Sequence, residues 1–223
     1  MIALSRRLAA EFVGTMTLLA VVVGSGVMGV ALSAGNDGVA LLANATATGA
    51  ALYVLIGVLG PISGAHFNPA VTAAMRLRGE MRTAEALAYV AVQFVAAVAG
   101  VMLAHAMFDL PLLQAGTHAR TGAAQWLSET VATAGLLSTI LVGARTRPAA
   151  LPALVASYVF AAYWFTASTA FANPAVTVAR AFTRTFAGIR GEDVAGFVAA
   201  QCAGVAVAFA VDALLFGTRR RAS

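Results

Sequence analysis

Asn68-Pro69-Ala70-Val71-Thr72 and Asn173-Pro174-Ala175-Val176-Thr177 are two identical five-residue segments set 105 residues apart. Proline is favoured as the first residue of a helix, because the N–H it lacks would have had no partner there. Asparagine just before it is a strong helix cap, its side-chain oxygen accepting from backbone N–H groups. Each segment therefore predicts a helix that begins at the proline. Each helix can run for only about two turns before its amphipathic sequence ends in arginine. That is far short of the roughly 20 residues needed to cross a bilayer. A loop leading into a half-helix is expected twice, within residues 60–82 and again within 169–193.

The surrounding chain says what solvent these half-helices meet. Of 223 residues, 61% are hydrophobic and 10% are charged, with a mean hydropathy of +0.86. Soluble domains carry about 25% charged residues, so the bilayer is the natural solvent. Apolar runs fall at about 8–29, 39–59, 84–107, 124–143, 150–168 and 194–216. The prediction is an all-α membrane protein of six transmembrane helices plus two re-entrant half-helices. Residues 1–223 then form one channel-type domain, with no length left for a separate soluble one. Ser5-Arg6-Arg7 before an apolar stretch imitates a signal peptide, but the stretch is too long and contains Glu11, so it reads as the first span.

All fourteen basic residues are Arg, and the net charge is +5. They sit at helix ends and form no stripe, which points to membrane topology rather than nucleic acid. Arg6, Arg7, Arg76, Arg78, Arg82, Arg145, Arg147, Arg219, Arg220 and Arg221 fall on one side, against Arg120, Arg180, Arg184 and Arg190 on the other. Ten against four predicts both termini in the cytoplasm, although Arg180, Arg184 and Arg190 depart from a strict rule. Cys202 is the single cysteine. It excludes an internal disulfide framework and, lying in an apolar run, reads as a buried structural thiol.

An internal repeat is visible. Glu11 and Glu129 lie 118 residues apart, the two Asn-Pro-Ala segments 105, and Gln93 and Gln201 108. Three landmarks in one order divide the chain into halves of about 1–110 and 120–223. Three spans per half force opposite orientations, the inverted repeat of many transport proteins. Irregular backbone inside hydrocarbon is tolerated only where it lines a cavity or is buried in protein. Two loops dipping in from opposite faces therefore imply an aqueous path. The half-helix N-termini would meet near the midplane, each presenting about half a positive charge. Asn68 and Asn173, their oxygens occupied as caps, would leave their amide NH₂ groups free to donate into the pore. Such a centre repels cations and interrupts proton hopping along a file of water.

Ala10-Glu11-Phe12-Val13-Gly14-Thr15, the run from Ser63 to Thr72, Gln93 and Asn173-Pro174-Ala175 together resemble the aquaporin, or major intrinsic protein, family over nearly the whole chain. The resemblance implies a homotetramer in the bacterial inner membrane with a pore in every subunit, no cofactor and no enzymatic activity. It makes Glu11 and Glu129 buried acceptors of hydrogen bonds from the re-entrant loops, and puts His66 in the cytoplasmic half of the pore. His66 has no Cys, His or carboxylate companion at ligand spacing, so no metal site is expected. His105 and His118 carry no signal beyond a surface or helix-end role.

In the family, a constriction outside the Asn-Pro-Ala centre is usually built from an aromatic on the second helix, a residue on the fifth, one in the second loop, and an Arg after the second Asn-Pro-Ala. Counting from the motifs gives Thr48, Ala161, Ala170 and Val176. A gap of two residues would bring Tyr163 to the fifth-helix position, and Thr48 could bond its own helix backbone. Arg180 lies one turn beyond Val176, about 5–6 Å outward, toward the vestibule. Val176 and Thr48 at these positions are similar to the arsenic-resistance aquaporins, which implies passage of arsenite, methylated arsenicals and glycerol-like polyols, with water. An ordinary water channel is the alternative, followed by an ion channel and a secondary transporter.

Overall fold

The computed structural model describes residues 2–217. Arg219, Arg220 and Arg221, which contribute to the charge asymmetry above, lie outside the described residues. The helices are α1 (Leu4–Leu32), α2 (Asp37–Ser63), α3 (Pro69–Leu77), α4 (Thr83–Met107), α5 (Ala123–Thr146), α6 (Leu151–Phe165), α7 (Pro174–Arg180) and α8 (Val194–Phe216). Among the described residues there is no strand. Six helices are long and apolar enough to cross a membrane, and the chain is a multi-pass, all-α membrane protein. The two remaining helices, α3 and α7, have nine and seven residues and begin at Pro69 and Pro174.

One expected boundary moves. Helix α2 continues through Pro61 to Ser63, ending on Gly64 at φ +90°, where the sequence reading had a loop from Gly60. Pro61 lacks the N–H that would pair with the Gly57 carbonyl, yet the helix runs two residues past it.

The helices pair in matching ways. Helix α1 packs on α4 and α2, α5 packs on α8 and α6, and α2 meets α6 across the middle. Small residues set the closest approaches. A Cβ on Gly100 would strike the Met16 carbonyl, and one on Gly204 would meet the Thr130 carbonyl and the Thr133 side chain, both at 2.7 Å. Between helices in lipid there is little hydrophobic driving force, and close backbone packing at such small residues replaces it. Half-helices α3 and α7 touch each other and are enclosed by α4, α5 and α8.

Candidate pore and its two loops

The two re-entrant loops are held by one device used twice. Glu11, fully buried on α1, accepts from the Ser63 hydroxyl at 2.8 Å, the N–H groups of His66 and Phe67 at 2.9 and 2.7 Å, and the Gln93 amide at 2.8 Å. Glu129, fully buried on α5, accepts from the N–H groups of Phe171 and Ala172, both at 2.9 Å, and from Gln201 at 2.6 Å. Successive N–H groups converging on one anion form a nest. The loop backbone must turn sharply to do this. Ala65 and Phe67 take φ +49°, and Ala170 and Ala172 take +49° and +47°. Each such non-glycine residue costs about 1–2 kcal/mol, an expense offset by the charge-assisted bonds to the carboxylates.

Gln93 also donates to Thr72 at 3.0 Å and Gln201 to Thr177 at 2.8 Å, tying each half-helix to the span that closes its half. These roles for Ser63, Gln93, Gln201, Thr72 and Thr177 were not assigned from sequence, although the recurrence of the glutamines and threonines was a usable signal. Nor were those of Tyr89 and Arg120. The Ser63 carbonyl accepts from the Tyr89 hydroxyl at 2.9 Å, and the Ser168 carbonyl accepts from Arg120 at 3.2 Å. Two unlike residues serve matched carbonyls, so similarity between the halves could not reveal them. Burial pushes the Arg120 guanidinium down to about 10, which leaves it charged at neutral pH.

The loops clasp each other at the centre. Asn68 caps α3 through the Ala70 N–H at 2.8 Å, and Asn173 caps α7 through those of Ala175 and Val176 at 3.0 and 3.2 Å. The Asn68 amide donates to the Ala172 carbonyl and the Asn173 amide to the Phe67 carbonyl, each at 2.8 Å. The expectation of free amides therefore needs correction. A primary amide has two N–H donors; one is spent on the opposite loop and one remains.

Around this clasp lies a cavity of about 420 Å³. Its ends carry Arg7, Arg78 and Glu80 on the side of the chain termini, and Thr48, Tyr163 and Arg180 on the far side. Both Asn side chains and His66 line it, as do Ala170 and Val176. Apolar side chains make up much of the remaining lining, among them Leu18, Val22, Leu52, Leu136, Ile140 and Val155. His66 contacts the Thr72 hydroxyl through Nδ1 at 3.1 Å. Among the described residues no cluster suits a metal ion.

Five sequence expectations change here. Ala161 is exposed on the outer face of α6 and does not line the cavity, whereas Tyr163 is buried and does. Two residues along a helix is a rotation of about 200°, so only one of them can face inward. Thr48 faces the Tyr163 hydroxyl at 3.3 Å instead of bonding its own helix. Cys202 is exposed rather than buried, because an apolar run in a bilayer serves a lipid-facing surface as well as an interior. His105 is fully buried and joins Leu112 and Thr183, both at 2.8 Å, linking the two far-side loops. Arg180 is not out in a vestibule: it is 2% exposed and stacks over the Phe171 ring at 3.4 Å from the centroid.

Six spans, two half-helices meeting at capped prolines and a cavity through their junction define a membrane channel. The sequence matches the family model for "Major intrinsic protein" over residues 1–162, and the chain belongs to that family. It is accordingly a channel for small solutes and not an enzyme. It is 55% identical over 208 residues to the aquaglyceroporin AqpS of Rhizobium meliloti (strain 1021), covering 93% of this chain and 89% of that one. Aquaporin PIP2-7 of Arabidopsis thaliana is 35% identical over 138 residues, 61% of this chain and 49% of the relative. The X-ray structure of the aquaglyceroporin from Plasmodium falciparum superposes with a TM-score of 0.73 over 97% of both chains at 16% identity, a likeness of fold.

Proposed function

We propose that the protein is a passive pore for small uncharged hydroxylated solutes: glycerol-like polyols, arsenite as its neutral trihydroxide, and methylated arsenicals, with water as a co-permeant. The observation that carries this reading is Val176. It lies on the cavity wall at the position where the family usually has an arginine, and it neither fills the channel nor donates a hydrogen bond. Thr48, Ala170 and Val176 are the filter residues of this proposal, with Tyr163 in the place expected for Ala161. A lining that mixes Leu, Ile and Val with a few polar groups suits small solutes that carry both hydroxyls and apolar surface. The name of the Rhizobium relative, an aquaglyceroporin, supports the polyol part. The arsenical part rests on the Val-and-Thr likeness to arsenic-resistance members.

Asn68, Pro69 and Ala70 with Asn173, Pro174 and Ala175 form the central gate against protons in this reading. One free N–H on each asparagine orients the passing oxygen, and the half-helix dipoles repel cations. Glu11 and Glu129 hold the loops and take no part in permeation. The assembly we propose is a homotetramer in the bacterial inner membrane, one pore per subunit and both termini cytoplasmic, needing no cofactor.

An ordinary water channel is the second reading, favoured by the Tyr163 hydroxyl facing Thr48, which narrows the far mouth. Flux of water, glycerol, arsenite and a methylated arsenical into proteoliposomes separates the two. The expected result is solute uptake above that of empty liposomes for all four. Water flux alone would overturn the proposal.

A further inference from the structure

The second half of the chain carries a charge arrangement with no counterpart in the first. Arg180 is almost wholly buried, its Nε donating to the Ala187 carbonyl and its guanidinium over the Phe171 ring. Among the described residues its terminal nitrogens make no hydrogen bond and no carboxylate lies within ion-pair distance. Arg180 lines the cavity. A guanidinium has five N–H donors in a fixed fork, so the donors not used by Ala187 are available to whatever occupies that space. An unpaired charge at membrane depth is costly and marks a working group.

Its reach follows from helix geometry. Arg180 is four residues beyond Val176, which sets its Cα about 6 Å further out. Side chains on a helix lean toward its N-terminus, however, and this one folds back to the level of Phe171, two residues before the α7 cap. The far-side loop fixes it there: besides the Ala187 contact, the Ile189 N–H donates to the Arg180 carbonyl at 3.2 Å. Arg120, held by the Gly188 and Ser168 carbonyls, also lies over Phe171 at 5.0 Å from the centroid. It adds positive potential without reaching the cavity wall.

We infer that Arg180 is the specificity-determining cation of this pore. It replaces, from one turn further out, the charge that Val176 does not provide. It sorts small hydroxylated solutes by donating to their oxygens while the Thr48 and Tyr163 hydroxyls meet their other side. The inference rests on the channel reading above and deepens it. It carries two consequences: the far mouth excludes cations through Arg180, and its width for solutes depends on this side chain.

The test uses full-length protein in liposomes, with Cys202→Ser as the background so that the exposed native thiol is silent. Glycerol flux through that background protein above empty liposomes tests the channel reading by itself. Sodium leak and the glycerol-to-water ratio, each relative to background, test Arg180. Arg180→Cys is expected to raise sodium leak about tenfold, as loss of a nearby unit charge allows, and to raise the glycerol-to-water ratio. Modifying the new thiol with a cationic ethylammonium methanethiosulfonate is expected to restore low leak, and an anionic sulfonate reagent to leave it high. Both reagents act on the same folded protein, so a folding defect cannot imitate the difference. Equal leak after either reagent, or a variant whose leak and solute ratio match the background, would overturn the assignment. Arg180→Lys, which keeps charge and loses the fork, is expected to hold leak low while shifting the solute ratio. High leak from correctly inserted Arg180→Lys protein would also contradict it.

Discussion

The carboxylates of Glu11 and Glu129 hold loop backbone that would otherwise leave buried N–H groups unpaired. A glutamine at either position replaces one acceptor oxygen with an NH₂ that faces a donor. Leaving a buried polar group unsatisfied costs about 1–3 kcal/mol. Glu11→Gln and Glu129→Gln should therefore each lower the melting temperature of the detergent-solubilised protein, and the double variant should lower it further. Unchanged melting of both would mean the loops hold themselves. At the mouth, Ala161→Leu should leave water and glycerol flux near wild type, because that side chain points away from the cavity. Tyr163→Ala should raise the glycerol-to-water ratio. Stopped-flow light scattering reads both variants. The phase of α6 was the part of the site least legible in sequence. Counting back from Asn173 crosses the irregular backbone at 166–172, and a slip of two residues reverses the face. Motif residues suffered no such error, since Asn68, Asn173 and the two glutamates act at or next to their own signatures. Arg180 was placed correctly along the chain and wrongly in depth, because sequence position gives the Cα and not the direction of a long side chain.

Elements were legible where one span is one apolar run. All six spans and both half-helices lie within a few residues of their expected places, since bilayer thickness fixes helix length and proline fixes the half-helix start. The far-side loops were not legible. His105, Arg120 and Gly116 order them through carbonyls, which leave no pattern in sequence; the Gly116 N–H, for instance, donates to the Ala181 carbonyl at 2.8 Å. Helix pairing gives a prediction at this scale. Gly100 faces the Met16 backbone and Gly204 the Thr130 backbone, and backbone cannot rotate aside as a side chain can. Gly100→Val or Gly204→Val should push α1 from α4, or α5 from α8, at a cost of about 1–3 kcal/mol for overpacking. Reduced yield of monodisperse protein in size-exclusion chromatography is the expected readout, and normal yield and melting would argue against these contacts.

At the scale of the whole molecule, the two halves build one path with a symmetric centre and unequal mouths. The centre depends on elements common to both halves: a glutamate, a capped proline helix and a glutamine. The mouths depend on residues that differ between them, with Arg7, Tyr89 and His66 toward the chain termini and Arg120, Phe171 and Arg180 at the far side. In the proposed reading, selectivity belongs to that difference and fold to the likeness. A cysteine at the second-loop position of the proposed filter would expose the pore to mercury, but Ala170 stands there and Cys202 is exposed on α8. Mercuric ion should therefore leave water flux in proteoliposomes largely unchanged, and block traced to the pore would contradict the assignment of that wall.

Val176 ties these scales together, and the ratio of glycerol to water permeability in Val176→Arg proteoliposomes tests it most directly. A guanidinium at that position narrows the cavity between Thr48, Tyr163 and Ala170 and adds donors to its apolar side. Glycerol permeability is expected to fall about tenfold or more, the equivalent of a little over 1.4 kcal/mol, while water permeability falls much less. An unchanged ratio would contradict a solute pore that Val176 leaves open.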